Sequence, residues 1–323
     1  MVTDSEKQLA AADLVPPQYL IVGAGYLGSR VGAALRQRSD ACIETSRNPR
    51  RQAGDPIKPV METPCGRQMA QVDVAEPHAF AGLPLPKKIL YSIGYRRDSP
   101  QDRDTILSGG LGRLVRWLRT HEAVVSGKIL PQIVLISTTG VFHQGDGMWV
   151  DEQSPARPTR DSARAHLRAE TFLSRNWPLD RQTVLRLAGI YGPGRVPNRA
   201  SLKAGQPLKV DPDSFLNLIH VDDAVAAVLA AWDQSASGLY CVVDDHPLRR
   251  GDFYRQVAKS YAAPPPQFEM SPAQAGTSST AAGVSPDPNS RRAAHRRVSN
   301  RKLRRELLPW MKYPNSITAF QGS

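Results

Sequence analysis

Tyr19-Leu20-Ile21-Val22-Gly23-Ala24-Gly25-Tyr26-Leu27-Gly28 is the stretch that decides the fold. Its first four residues form a short apolar run, and Val31, Ala33, Ala34 and Leu35 follow at helical spacing, so the segment predicts strand, tight turn and helix. Each glycine has its own steric reason. Gly23 allows the turn, Gly25 lets backbone N–H groups approach a pyrophosphate, and Gly28 permits close helix-to-strand packing, while the helix N-terminus supplies partial positive charge. Taken alone, such a hexad also suits a glycine-rich turn in any α/β protein; its place between a strand and a helix weighs against that plainer reading.

Outward from this loop the pattern repeats. Strands are predicted at Tyr19 to Val22, Ala41 to Thr45, Lys88 to Ser92, Gln132 to Ser137 and Thr183 to Leu187, with a shorter one ending near Asp73. Helices are predicted at Leu27 to Arg38, Thr105 to His121 and Ser162 to Asn176. Alternation of this kind implies right-handed βαβ units and the α/β class with a parallel sheet. After Leu187 the pattern loosens, and Tyr191-Gly192-Pro193-Gly194-Arg195 marks a turn into a smaller lobe. That lobe is predicted to hold a helix from His220 to Trp232 that starts behind Asp222 or Asp223, and a strand from Gly238 to Val243. Leu303, Leu307, Leu308 and Trp310 are predicted to anchor a terminal helix, and Ala262 to Asn289, rich in Pro, Ser, Ala and Gly, to form a mobile loop. The resulting division is a tail at 1–17, a core domain at 18–188 and the smaller lobe at 189–323.

Composition narrows the class. With 323 residues, 41% of them apolar, the chain is long enough to bury a full core. No run approaches the roughly 18 apolar residues of a membrane span. The first residues carry Asp4, Glu6 and Asp13 without an apolar core segment, so the expectation is a cytoplasmic protein with no membrane partner. Cys42, Cys65 and Cys241 lack paired or metal-ligand spacing, which predicts reduced thiols and no metal site. A formal charge of +12 suits an anionic ligand or nucleic acid. Part of it lies in Arg291, Arg292, Arg296, Arg297, Arg301, Lys302, Arg304 and Arg305, read either as a solvated helix face or as a phosphate-binding group. Charge alone makes no recognition motif, so nucleic acid ranks last among the partners.

Five motifs in order resemble the extended and atypical short-chain dehydrogenase/reductases, the NAD-dependent epimerase/dehydratase family. They are Gly23 to Gly28, Ile136 to Phe142 (ISTTGVF), Leu185 to Arg195 (LRLAGIYGPGR), Asn217 to Asp223 (NLIHVDD) and Gly238 to Asp245 (GLYCVVDD). The resemblance implies a Rossmann-type doubly wound parallel sheet with a smaller C-terminal substrate lobe. It also implies hydride chemistry by a Ser or Thr with a Y-x-x-x-K pair on one helix face, where the lysine lowers the tyrosine pKa. Thr138 matches the Ser/Thr position. Aligning Pro158 and Glu170 with the family's proline and glutamate puts Ser162 at the tyrosine and His166 at the lysine. A serine pKa is too high for the tyrosine's task, and a neutral imidazole carries no permanent charge. Three readings of His166 stand: general acid/base, ribose contact, or a half-exposed histidine on a helix face. The nearby Arg160, Arg164 and Arg168 suit an anionic substrate. Gly189 replaces an asparagine that many relatives use on nucleotide sugars, which weakens that assignment.

The same resemblance places the remaining contacts. Gly23, Gly25, Tyr26, Leu27 and Gly28 form the phosphate loop; Asp73 and Val74 lie near the adenine; Ser92, Ile93 and Gly94 line the middle of the cofactor. The acidic residue typical of NAD binders falls on Ser46, with Arg47 next, and this favours NADP, with NAD possible through Glu44. Tyr191 and Arg195 are placed on the substrate side. Tyr91, Tyr95 and the Asp151-Glu152 pair are reserve acid/base candidates. The implied function is an NADP-dependent oxidoreductase or epimerase/dehydratase acting on a small or nucleotide-linked substrate; the alternative is a non-catalytic structural or redox-sensing dinucleotide binder.

Overall fold

The computed structural model describes residues 18–47, 61–62, 67–95, 99–269 and 295–320. The predicted tail, Cys65, Arg291, Arg292 and most of the predicted mobile loop lie outside the described residues. The chain divides into two compact units, Met1–Leu135 with Phe172–Gln182, and Ile136–Thr171 with Thr183–Ser323. The architecture is α/β, a Rossmann-type doubly wound parallel sheet.

The first unit holds β1 (Tyr19–Val22), α1 (Gly28–Gln37), β2 (Cys42–Ser46), β3 (Met61–Glu62), β4 (Gln68–Gln71), β5 (Lys88–Tyr91), α2 (Gly110–Leu118), α3 (Glu122–Val125) and the start of β6 (Gln132–Thr138). Its strands run in the order β6-β5-β1-β2-β4-β3, all parallel except β3, which runs antiparallel to β4. Tyr19 stands in register with Cys42 on one side and Lys88 on the other. Leu20, Ile21, Val22, Ile89 and Leu90 are all buried, as a strand covered on both faces requires, and this explains the unbroken apolar runs.

The helix predicted from Thr105 to His121 is interrupted. A π-helical turn spans Thr105–Gly109, and regular helix resumes only over Gly110–Leu118. The buried Tyr91 hydroxyl donates to the Ile106 and Leu107 carbonyls at 3.0 and 3.1 Å. Burial pushes its pKa far up, so this reserve acid/base candidate is a structural tyrosine that satisfies the irregular turn.

The second unit holds β7 (Met148–Val150), most of α4 (Asp161–Asn176), β8 (Gln182–Leu187), β9 (Gly189–Tyr191), α5 (Arg199–Lys203), β10 (Phe215–Leu216), β11 (Leu218–His220), α6 (Val221–Asp233), β12 (Gly238–Val242), β13 (Leu248–Arg249), α7 (Arg250–Ser260), β14 (Arg296–Val298) and α8 (Arg301–Glu306). Parallel pairs join β8 to β12, β9 to β11 and β7 to β14. One apolar cluster gathers Tyr191, Leu208, Leu218, Phe253, Val257 and Phe320.

Several expectations change here. The α6 helix begins at Val221, and its cap is His220, whose Nδ1 accepts from Asp222 N at 3.1 Å. Asp223 instead accepts from the Lys312 and Tyr313 amides at 2.7 and 2.9 Å. Leu303, Leu307 and Leu308 are buried as predicted, but Trp310 is 86% exposed; the short α8 ends at Glu306, so helical spacing does not set the direction of the residues that follow it. The basic cluster is not one helix face. Arg296 and Arg297 lie in β14, with Arg297 donating to the Gly147 carbonyl, while Lys302 on α8 donates to the Leu239 carbonyl. Asp151 and Glu152 have structural partners: Asp151 accepts from Gln153 N and Ser154 N, and Glu152 from Cys241 N.

Cys42 and Cys241 are buried free thiols. Burial, with the Glu44 carboxylate second, pushes Cys42 up to about 11, and burial raises Cys241 as well, so both are poor nucleophiles at neutral pH.

Asp244 follows β12 and is 1% exposed. Neither carboxylate oxygen has a hydrogen-bond partner among the described residues. Burial raises its pKa well above the usual carboxylate range, and the nearby His246 and Ser316 groups lower it only in part. A folded pKa above the unfolded one means that the native state holds a proton which the unfolded chain releases, so stability is lost as pH rises through that window. Asp244→Asn is therefore expected to stabilise the protein by about 1–3 kcal/mol at neutral pH, with a smaller gain near pH 4. Urea unfolding at the two pH values checks this, and an equal or reversed effect would contradict it.

Candidate functional site

The glycine loop is fastened on two sides. Gly23 N donates to Thr45 Oγ1 at 3.1 Å, and Ala24 N donates to the Thr45 carbonyl at 2.8 Å. From the end of β5, Ser92 Oγ donates to the Gly23 carbonyl at 2.9 Å. Gly23 adopts φ +101°, and a Cβ there would stand 2.9 Å from the Ser92 carbonyl, so glycine is required on both counts. At Gly28 a Cβ would overlap the Gly23 carbonyl outright. Gly25 is the opposite case, because a Cβ there meets no described atom within 4 Å. Its bare face opens outward, as a backbone that cradles a pyrophosphate must. The first turn of α1, Gly28-Ser29-Arg30-Val31, carries an arginine and no carboxylate, which leaves its terminal partial positive charge uncancelled.

A cleft of about 450 Å³ lies against this loop. Of the residues assigned from sequence, Gly23, Gly25, Ser46, Arg47 and Val74 line it, and so do Ser92, Ile93 and Gly94. Tyr26, Leu27, Gly28 and Asp73 have other positions. The Tyr26 ring lies under the Arg30 guanidinium at 3.9 Å, Leu27 is buried at the N-cap of α1, and Gly28 is buried beneath the loop. Asp73 accepts from Ala75 N at 3.0 Å, closing its own turn. Sequence reasoning left Ala24, Thr45, Val72, Ser99 and Ile106 out of the site, and Tyr95, named only as a reserve acid/base candidate, lines the cleft with them. Only Thr45 carried a signal, a hydroxyl residue at the end of the second strand.

Glu44 is fully buried. Its carboxylate is held by Arg36 and by Arg67, whose Nε donates at 3.0 Å, and it packs where a Cβ on Gly32 would stand. The carboxylate is thus engaged against α1, leaving Thr45 and Ser46 at the end of β2, and Arg47 just after it, beside the loop cleft.

In the second unit, Thr138 ends β6 half-buried, and its Oγ1 accepts from Gly140 N at 3.0 Å. Ser162 and His166, both half-buried, stand one helical turn apart on α4, and Glu170 continues the same stripe. Glu170 is buried. It accepts from Arg186 Nε and Nη2 at 3.1 and 2.7 Å and from Ser137 Oγ, so the helix is clamped to β8 and to the residue preceding Thr138. Tyr191 is 0% exposed, its ring edge-on to His220 with centroids 5.1 Å apart, and its hydroxyl has no hydrogen-bond partner among the described residues. Burial, then Asp244, Asp223 and Tyr313, raise its pKa strongly. Arg195 is exposed in a tight turn closed by the Gly192 and Arg195 backbones.

Parallel strands, a glycine loop pinned between their ends and a helix opening from it define the Rossmann-type α/β class. No protein-family model matches the chain. Over 143 residues it is 32% identical to Protein YeeZ of Escherichia coli K12, covering 44% of this chain and 50% of that protein, so it spans about half the length of this relative. It is 22% identical over 270 residues to short-chain dehydrogenase/reductase family 42E member 1 of Danio rerio, covering 73% of this chain and 66% of that protein. A functionally unknown conserved protein from Silicibacter pomeroyi DSS superposes with TM-score 0.69 at 27% identity, over 94% of this chain and 96% of that one. A putative NAD-dependent epimerase/dehydratase from Methylobacillus flagellatus superposes with TM-score 0.62 at 22% identity, with the same coverage. The Thermus thermophilus UDP-glucose 4-epimerase in complex with NAD gives TM-score 0.68 at 18% identity, over 94% of this chain and 99% of that one. At these last identities the likeness establishes the fold. Among the described residues no helix is long and apolar enough to cross a membrane.

Proposed function

We propose that this protein binds a nicotinamide dinucleotide at the Gly23–Gly28 loop, prefers NADP, and performs redox or epimerase/dehydratase-type chemistry on a small or nucleotide-linked substrate. The observation that carries the reading is the loop itself, with Gly25 bare toward a cleft and Gly28 sterically obligatory. NADP is supported by the engagement of Glu44 with Arg36 and Arg67 and by the presence of Ser46 and Arg47 at the cleft, since a hydroxyl and a guanidinium suit a 2′-phosphate. The nicotinamide, when bound, supplies the hydride acceptor or donor. Thr138 orients a substrate oxygen, and Ser162 and His166 are the polar groups that stand in for the usual tyrosine and lysine. His166 either moves the proton or contacts the ribose. Arg195 lies on the substrate side, and the buried Tyr191 shapes that lobe from within. The functional division follows residues 18–188 for the cofactor and 189–323 for the substrate.

Calorimetric titration with both cofactors tests the reading. NADP is expected to bind more tightly than NAD, and Arg47→Ala is expected to weaken NADP by about tenfold or more, close to 1.4 kcal/mol, with NAD little changed. Tighter NAD binding, or unchanged NADP affinity in the variant, rejects the preference. The replacement of both tyrosine and lysine favours one second reading, a non-catalytic dinucleotide binder. Cofactor binding without hydride exchange across a panel of carbonyl and nucleotide-linked compounds decides for it, whereas turnover that falls in His166→Ala decides for the enzyme.

A further inference from the structure

The turn that follows Thr138 is held largely from outside. β6 ends at Thr138, and a single 3₁₀ turn spans Thr139–Val141. Its own closing bond, from Phe142 N to the Thr139 carbonyl, is long at 3.4 Å, so little of its geometry is fixed from within. The Thr138 hydroxyl is nevertheless tied to it. Gly140 N donates to Thr138 Oγ1 at 3.0 Å, and a Cβ on Gly140 would stand 3.2 Å from that oxygen and 3.7 Å from the methyl group of Ala163, the residue after Ser162. Where the turn goes, the hydroxyl goes.

One hold on the turn comes from far along the chain. Arg296, in β14, is 8% exposed, and among its bonds Nη2 donates to the Thr139 carbonyl at 2.9 Å. Burial first, and then the charges of Arg160 and Arg250, lower its pKa to about 10, so the group is protonated at neutral pH and the bond is charge-assisted. β14 does not need this side chain for its own placement. Its backbone pairs in parallel with β7, and Asn217 fastens both of its ends, Nδ2 donating to the Arg296 carbonyl at 2.9 Å and Oδ1 accepting from Val298 N at 2.8 Å. An apolar side chain would fill the same interior position without the cost of burying a charge. What the guanidinium adds is a directed bond from a fixed strand to a loosely closed turn.

We propose that Arg296 is a positioning residue: braced through β14 by Asn217, it sets the Thr139–Val141 turn and with it the direction of the Thr138 hydroxyl. That this hydroxyl meets a substrate rests on the reading given under Proposed function, while the brace itself does not.

The test is amide hydrogen exchange by NMR on the full chain, read at Gly140, with the buried Val228 on α6 and Val257 on α7 as reporters of overall stability. In Arg296→Met the Gly140 amide is expected to exchange about tenfold faster, with Val228 and Val257 within about twofold of the wild type. Arg296→Lys, which keeps the charge, should hold Gly140 within about threefold. Asn217→Ala should also speed exchange at Gly140, and the double variant should exceed Arg296→Met by no more than about twofold, because both changes break one brace. Unchanged exchange at Gly140, equal acceleration at all three amides, or effects that simply add in the double variant would each overturn the proposal. If Arg296→Met does not fold, Asn217→Ala and Arg296→Lys decide by the same comparison. NADP titration of the wild type runs alongside: failure to bind it rejects the dinucleotide reading, and the exchange result still decides the brace.

Discussion

Arg186→Met is expected to lower the stability of the protein by about 3–5 kcal/mol, because it strands a buried carboxylate. Glu170 and Arg186 have side chains only 10% and 6% exposed and are joined by two hydrogen bonds. The Arg186 guanidinium also lies 5.1 Å from the centre of the Phe142 ring. Removing the guanidinium leaves Glu170 with the Ser137 hydroxyl as its remaining named partner, which is too little for an ionised group out of water. The double variant Glu170→Leu, Arg186→Met should recover a large part of the loss, because both charges then disappear from the interior. Denaturant unfolding of the two single variants and the double variant measures the coupling. Single variants within about 1 kcal/mol of the wild type would show that water reaches the pair.

The second large effect concerns a pair of glycines whose substitutions should separate folding from binding. Gly28→Ala places a methyl group against the Gly23 carbonyl, and backbone cannot move aside as a side-chain tip does. The loop must shift, at a cost of about 1–3 kcal/mol in stability, and the displaced amides should lose about a hundredfold in dinucleotide affinity. Gly25→Ala has open space for its methyl group, so its melting temperature should match the wild type. That methyl group nevertheless occupies the face offered to the pyrophosphate, and cofactor affinity should fall by a similar factor. Thermal melts and cofactor titrations on both variants are the check. A Gly25→Ala protein that binds NADP as well as the wild type would remove the loop from the site.

Much of the fold was legible because parallel strands buried on both faces leave an unmistakable pattern. Tyr19 to Val22, Lys88 to Tyr91 and Gln182 to Leu187 are apolar or tightly packed throughout, and their limits fall within a residue or so of the prediction. Helix α4 was legible for the same kind of reason, since Ala165, Ala169 and Leu173 mark its inward stripe. The glycine loop was legible because Gly23 and Gly28 answer local steric demands and Gly25 leaves the backbone between them bare. What stayed hidden depends on partners distant in sequence. The π-helical turn at Thr105–Gly109 exists beside a buried Tyr91 hydroxyl that takes up its carbonyls, and nothing in the local residues signals this. Trp310 reads as an anchor by composition, yet α8 stops short of it.

The sequence by itself determined the α/β class, the order of the strands along the chain and the need for glycine at Gly23 and Gly28, because these follow from periodicity and backbone sterics. Only the tertiary structure decided where the charges go. Glu44 is drawn to Arg36 and Arg67, Glu170 to Arg186, and Arg296 reaches the Thr139 carbonyl although the two lie in segments far apart in the chain. Electrostatic energy depends on distance in space and on burial, and neither quantity is written in residue spacing.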